Sequence, residues 1–232
     1  MTPLRFPTIC LVTDRQRLVS ATDNELVRVA ECAAAAGVDL IQIRERNRDD
    51  RDLLAVARRI VALSSGRGAT VLINDRMDVA LAAAAGGVHL RADSIDADRL
   101  RAMTPPGFII GRSVHGMAEA LHAAASRVDY LIMGTVFPTR SKAGLGTVAG
   151  LARLEEVCRS VSIPVLAIGG ITTENLPHVA AAGAAGIAAI GLFTDTCDEH
   201  RHRDPEAAFG SLVQAIRGVF APFAARAGRP QR

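Results

Sequence analysis

An α/β chain that closes as a single (β/α)8 TIM barrel is the fold class the sequence predicts, on three observations. Short β-branched runs recur eight times, segments with helical spacing separate them, and no glycine-rich nucleotide fingerprint follows the first run. Strands alternating with helices imply βαβ units and a parallel sheet. Eight units at roughly 20–30 residues each suit a closed barrel. An open doubly wound sheet is the alternative, but it would more usually carry a Gly-rich turn after its first strand. Here that strand runs into "TDRQRL".

The first strand is expected at "TICLVTD" (8–14), and "DNELVRVAECAAAAG" (23–37) after it reads as a helix that starts at an acid and stops at a glycine. "DLIQIRE" (39–45) is the second strand, followed by a helix in "DDRDLLAVARRIVALSS" (49–65). Within "LIQIRERN" (40–47), Leu40, Ile41 and Ile43 read as buried, while Gln42, Arg44 and Arg46 fall on alternate positions and so on one face. "TVLIND" (70–75), "GVHL" (87–90), "GFIIGRSV" (107–114), "DYLIMGTV" (129–136), "PVLAIGG" (164–170) and "GIAAIG" (186–191) complete the eight strands. "DVALAAAAG", "DADRLRAM", "MAEALHAAAS" and "LARLEEVCRSV" supply helices between them. No linker or composition shift divides the chain, so 1–232 is expected to be one domain, with the barrel over about 8–220 and a frayed tail at 221–232.

Apolar residues make up 49% of the chain, ample for a core, and the net charge is +3. The arginines are spread out, with no basic block and no interleaved aromatics, so nucleic acid is not expected as a partner. Cys10, Cys32, Cys158 and Cys197 show no C-x-x-C spacing, which argues against zinc and thioredoxin chemistry and for a reduced cytoplasmic protein. No secretory leader or membrane span is read in the sequence. Whether the chain forms a homo-oligomer stays open.

In a barrel of this kind the active site lies at the C-terminal ends of the strands. Those ends carry Gln42, Arg44 and Arg46; Asn74 and Asp75; Asp93; Ser113 and His115; the loop "PTRSKAGLG" (138–146) with Thr139, Ser141 and Lys142; "GGIT" with Gly169 and Gly170; and Ile190 with Gly191. Two arginines aimed one way are costly to bury unpaired and make a clamp when an anion is present. An internal ion pair with Glu45, Asp75 or Asp78 is the competing reading. Asn74 and Asp75 suit a hard cation such as Mg²⁺ shared with phosphate, or else form a strand-end turn. Asp93 reads either as a second ligand or as a helix start. Hydroxyls, an ammonium and glycine-flanked amides at 138–146 suit a diphosphate, and an ordinary loop is the alternative. Glycines after strands 7 and 8 suit a phosphate. His115 is open between acid–base work and a structural hydrogen bond; His89 reads as structural. Two anion subsites imply group transfer between phosphorylated small molecules.

The order "ICLVTD … QIRER … INDR … GVHL … GRSVH … GTVFPTRSK … GLG … PVLAIGGIT … IG" resembles the thiamine phosphate synthase and thiazole tautomerase family, from "ICLVTD" to about Phe193. The resemblance implies a (β/α)8 barrel. In the synthase branch it implies Mg²⁺-dependent joining of a hydroxymethylpyrimidine diphosphate to a thiazole phosphate, with loss of diphosphate. By position it implies that Gln42, Arg44 and Asn74 line the pyrimidine and diphosphate pocket, and that Asp75, with Asp93, holds the metal. It places Ser113 near the leaving group, Thr139, Ser141 and Lys142 on the thiazole side and the diphosphate, and Gly170, Ile190 and Gly191 around the thiazole phosphate. Arg44, Ser113 and Lys142 are the expected catalytic residues. Four positions depart from the pattern. Arg46 stands where the synthase usually has Lys, "RADS" where "GQ" usually follows "VHL", and Gly191 where serine is common; Thr135 stands where the tautomerase branch has His. The isomerase branch, and a non-catalytic barrel that binds a thiamine precursor, are the alternatives.

Overall fold

The computed structural model describes residues 4–139, 148–200 and 203–224. Eight parallel strands follow one another in chain order around a closed barrel. They are β1 Thr8–Val12, β2 Leu40–Ile43, β3 Thr70–Asn74, β4 Gly87–Leu90, β5 Ile109–Val114, β6 Tyr130–Gly134, β7 Val165–Ile168 and β8 Gly186–Ala189. Helices alternate with them: α1 Asp23–Ala35, α2 Asp50–Ser64, α3 Met77–Ala82, α4 Ala97–Arg101, α5 Met117–Ala125, α6 Gly150–Ser160, α7 Leu176–Ala181, α8 Gly191–Glu199 and α9 Pro205–Phe220. All eight expected strands form.

The chain divides into two compact units, one of Ile9–His89 with Ala189–Ala215, the other built on Leu90–Ala188 with the terminal segments. In the first, Cys10, Leu11 and Val12 lie opposite Leu40, Ile41 and Gln42, and Leu40–Ile43 lies opposite Thr70–Ile73. Ile9, Leu11, Leu40, Ile41, Ile43 and Leu72 are fully buried, as strands covered on both faces require. Thr22 caps α1 by accepting the Glu25 N–H, and Asp49 caps α2 by accepting the Asp52 N–H at 2.9 Å. Phe193 of α8 stacks on Phe209 of α9 at 5.7 Å.

In the second unit, Gly111–Val114 of β5 lies opposite Tyr130–Met133 of β6, which pairs in turn with β7. Gly111 is obligatory: a Cβ there would strike the ring of the fully buried Tyr130. Phe6 packs edge-on against Phe220, and Arg217 donates to the Pro7 carbonyl at 3.0 Å.

Both units use the same device at the start of a strand. Asp39, just before β2, donates its N–H to the Ile9 carbonyl and accepts the Ile9 N–H on its carboxylate at 2.8 Å. Asp129, just before β6, does the same with Ile110, accepting its N–H at 2.7 Å, and adds an ion pair to Arg101 at 2.6 Å. A carboxylate here completes the ladder where the neighbouring backbone offers no carbonyl.

One expectation is corrected. Gln42, Arg44 and Arg46 do not share a strand face, because β2 stops at Ile43. Thr13 still donates its N–H to the Gln42 carbonyl, but the next donor, the Arg44 N–H, goes to the Thr13 hydroxyl at 3.0 Å. A side chain replaces the backbone acceptor, and the ladder ends. Asn47 then turns the chain with φ 61. Arg44 and Arg46 therefore lie in the β2–α2 loop. His115 likewise falls one residue past β5.

Replacing Asp129 with Ala would leave the Ile110 N–H and the Arg101 guanidinium without their shared acceptor. Urea unfolding should show a loss of about 2–4 kcal/mol; a loss below about 0.5 kcal/mol would remove Asp129 from the ladder's support.

Candidate active site

The first unit gathers five of the expected residues at the ends of β2 and β3. Gln42 is 3% exposed and donates through Nε2 to Asn74 Oδ1 at 2.9 Å. Its Oε1 is buried with no hydrogen-bond partner among the described residues. A buried amide oxygen left unmet is costly, and a ligand N–H is one way to meet it. Asn74 is the last residue of β3. Asp75 follows it with φ 61, while its N–H still bonds to the His89 carbonyl at 2.9 Å. Left-handed backbone costs a non-glycine residue about 1 kcal/mol, least for Asp and Asn.

Arg44 is largely buried, and its nearest carboxylate, Asp14, stands 4.0 Å away. Burial lowers the Arg44 pKa, the Arg46 charge pushes the same way, and Asp14 and Glu45 oppose them. A guanidinium stays cationic regardless, so two like charges adjoin with weak compensation. The neighbouring Glu45 is spent elsewhere. It accepts from the Thr13 hydroxyl at 2.7 Å and the Arg15 N–H at 3.2 Å, and burial raises its pKa despite these bonds. Arg46 is exposed. The competing ion pair with Glu45, Asp75 or Asp78 is not formed: Asp78 pairs with Arg76 instead, at 2.6 Å.

Ile190 precedes α8 and Gly191 begins it. The position a Cβ would take on Gly191 lies 3.3 Å from Arg17 Nη2 and 3.6 Å from Asp195 Oδ2. Thr13, Asp14 and Glu45 were not picked out as functional by the sequence pattern. The polar run after the first strand was the available signal, but its partners lie some 30 residues away.

In the second unit, Asp93 follows β4 and is held by Arg91 at 2.6 Å on an exposed loop. Ser113 sits near the end of β5, half-buried. His115 donates its N–H to Glu119 at 2.7 Å, and its ring Nδ1 lies 3.2 Å from the same carboxylate, which fixes it to the first turn of α5. After β6 the chain stays paired with β7, since Val136 and Phe137 donate to Ile168 and Gly169 at 2.9 and 3.0 Å. Gly169 and Gly170 have φ 99 and 64. A Cβ on Gly169 would meet Thr135 Cγ2 at 2.5 Å, and one on Gly170 the Pro138 carbonyl at 2.5 Å. The approach these glycines permit is thus first to the chain's own segment 135–138, and the Gly170 carbonyl accepts from Asn175 at 2.8 Å. Thr139 is the last described residue of that segment, and Ser141 and Lys142 lie outside the described residues.

Eight parallel strands that close on themselves, with helices between them, define a (β/α)8 barrel. Residues 9–193 match the family described as thiamine monophosphate synthase, and the chain belongs to it. It is 44% identical over 180 residues to the thiamine-phosphate synthase of Methanoculleus marisnigri, covering 78% of this chain and 84% of that one. It is 36% identical over 214 residues to the thiamine-phosphate synthase of Roseiflexus castenholzii, covering 90% of each. Among solved structures, the thiamine phosphate pyrophosphorylase from Pyrococcus furiosus superposes with a TM-score of 0.77 at 31% identity, over 92% of this chain and 96% of that one.

His89, in β4 beside Asn74, is 1% exposed, and burial pushes its imidazole down to about 3. The unfolded chain, with an ordinary histidine value near 6.5, takes up a proton that the fold excludes. The stability tied to neutral His89 is complete above about pH 6.5 and is lost as pH falls toward 3, at up to about 1.4 kcal/mol per pH unit. Denaturant unfolding at pH 7.5, 5.5 and 4.5 should show this decline, flattened by one proton in His89→Gln. An equal slope in both proteins would contradict it.

Proposed function

We propose that this chain is a thiamine phosphate synthase, a transferase that couples a hydroxymethylpyrimidine diphosphate with a thiazole phosphate and releases diphosphate. The observation that carries the reading furthest is the pair of guanidiniums past β2, Arg44 and Arg46, undercompensated by Asp14 in a chain of this family. A diphosphate supplies the missing charge. The unmet Gln42 Oε1 suits an amino group on a heterocycle, and Asn74 holds the other end of that amide.

Mg²⁺ takes oxygen donors, and Asp75 just past β3 carries a carboxylate of that kind, whereas that of Asp93 is held by Arg91. No group of three or more His, Cys, Asp or Glu able to hold a metal occurs among the described residues. Mg²⁺ commonly takes one or two carboxylates and completes its shell with water and substrate phosphate rather than a protein cage. When bound, it would neutralise charge on the departing diphosphate.

The chain's own residues do the rest. Arg44 and Arg46 neutralise the diphosphate, so that the bond from the pyrimidine methylene carbon to oxygen breaks with its electron pair on the leaving group. The family resemblance assigns Ser113 to the leaving group and Lys142 to the thiazole side and the diphosphate. The same resemblance assigns Thr139 and Ser141 to the thiazole side and the diphosphate, and Gly170, Ile190 and Gly191 to the thiazole phosphate; a substrate so held would present its ring nitrogen to the carbon it attacks. The nitrogen lone pair forms the new bond and no proton changes hands. The reaction needs no general base, which accords with a His115 tied to Glu119. The family match over residues 9–193 supports reading that stretch as one domain. Four free cysteines support a cytoplasmic setting.

Purified protein given both substrates and Mg²⁺ should release diphosphate and form thiamine phosphate, and chelation should stop it. Turnover that survives chelation would overturn the metal-dependent reading. Isomerisation of a thiazole carboxylate phosphate without coupling would replace it with the tautomerase. Lys142→Ala should lower turnover tenfold or more, equal to about 1.4 kcal/mol or above, and unchanged kinetics would remove Lys142 from the mechanism.

A further inference from the structure

Thr13 follows β1 and is 2% exposed. Its one hydroxyl serves two successive residues past β2. It accepts the Arg44 N–H at 3.0 Å and donates to Glu45 Oε1 at 2.7 Å. A hydroxyl can do both at once, having one proton and two lone pairs, and a methyl can do neither. The second hold on Glu45 is the Arg15 N–H, 3.2 Å from each of its oxygens. So anchored, Glu45 makes no ion pair with Arg44, its neighbour in the chain. Among the described residues, Asp14 at 4.0 Å is the one carboxylate within ion-pair distance of Arg44. A half-buried carboxylate released from its hydroxyl would turn to a nearby cation. The Arg15 guanidinium is already engaged, with Nη1 donating to the Ala21 carbonyl at 2.5 Å. Arg44 is the adjoining cation left to receive it.

We propose that Thr13 is a positioning residue: its hydroxyl draws Glu45 away from Arg44 and so keeps that guanidinium available to a polyphosphate anion. The inference rests on the synthase reading for the identity of the anion, diphosphate, and on the two hydroxyl hydrogen bonds for the device. Thr13 acts through Glu45 and Arg44 and not on the substrate.

The test compares Thr13→Val, Thr13→Ser, Glu45→Gln and the Thr13→Val/Glu45→Gln double variant with the wild type. Calorimetric titration with inorganic diphosphate, at one fixed Mg²⁺ concentration, reads the site. Thr13→Val keeps the shape and loses the hydroxyl, and it should weaken binding about tenfold as the freed carboxylate turns to Arg44. Thr13→Ser keeps the hydroxyl and should bind within about twofold of the wild type. In the double variant the freed side chain is uncharged, so binding should return to within about threefold of Glu45→Gln alone. That recovery separates the two roles, because a merely structural loss at Thr13 would carry through to the double variant. Thr13→Ala, with and without Glu45→Gln, makes the same comparison if the valine variant does not fold. Unchanged binding in Thr13→Val would overturn the proposal, and so would an equal loss in the double variant. If the wild type turns over and binds diphosphate, either result removes this proposal alone. If the wild type does neither, the synthase reading falls, and this proposal with it.

Discussion

The rest of the molecule depends on a parallel ladder whose strands are only four to six residues long. A strand that short spends nearly every residue on the barrel wall, and the buried runs of β1, β2, β4 and β6 contain no exposed position. Candidate site residues therefore sit at the last residues of a strand or beyond it. Asn74 ends β3 and Gln42 is one residue from the end of β2, while Arg44, Asp75, Asp93 and Gly191 lie past their strands. Their positions are set by how each ladder ends and how the next turn is held. The groups that end ladders, Thr13 above all, shape the rim as much as the groups that would meet a ligand.

Electrostatics at the end of β2 follow from that arrangement. Glu45 could have neutralised Arg44, but it is drawn to the Thr13 hydroxyl and the Arg15 amide. That leaves Asp14 at 4.0 Å as the nearest counter-charge to a guanidinium already pressed by a second one. A protein that only had to stay folded would gain by closing this gap. Keeping it open favours a multiply charged anion over a neutral ligand.

The barrel was legible in the sequence because each strand is a compact β-branched run and segments of helical spacing lie between them, two of which, α1 and α2, start at a side-chain cap. The strand ends were less legible. Alternation put Arg44 and Arg46 on one face because "LIQIRERN" has no glycine or proline to mark a stop, and the stop is made by a hydroxyl 31 residues earlier. The same holds for Asp75, whose left-handed backbone is stabilised through His89 in the neighbouring strand. Arg112 looked like one more strand residue, since its three acceptors are the backbone carbonyls of Ala92, Ser94 and Ile95 and leave no pattern in side-chain type. Long-range polar contacts of this kind escape local periodicity.

Asp39 and Asp129 carry a consequence for how the chain finds its native pairing. Each carboxylate reaches one amide on the preceding strand and can reach it in one alignment only. A slide by a single residue would exchange the lumen-facing and helix-facing side chains along the whole strand, turning Ser113's face outward and Arg112's charge into the barrel. The two acids act as keys cut for one position, rejecting every misaligned sheet at the opposite end from where the chemistry is done.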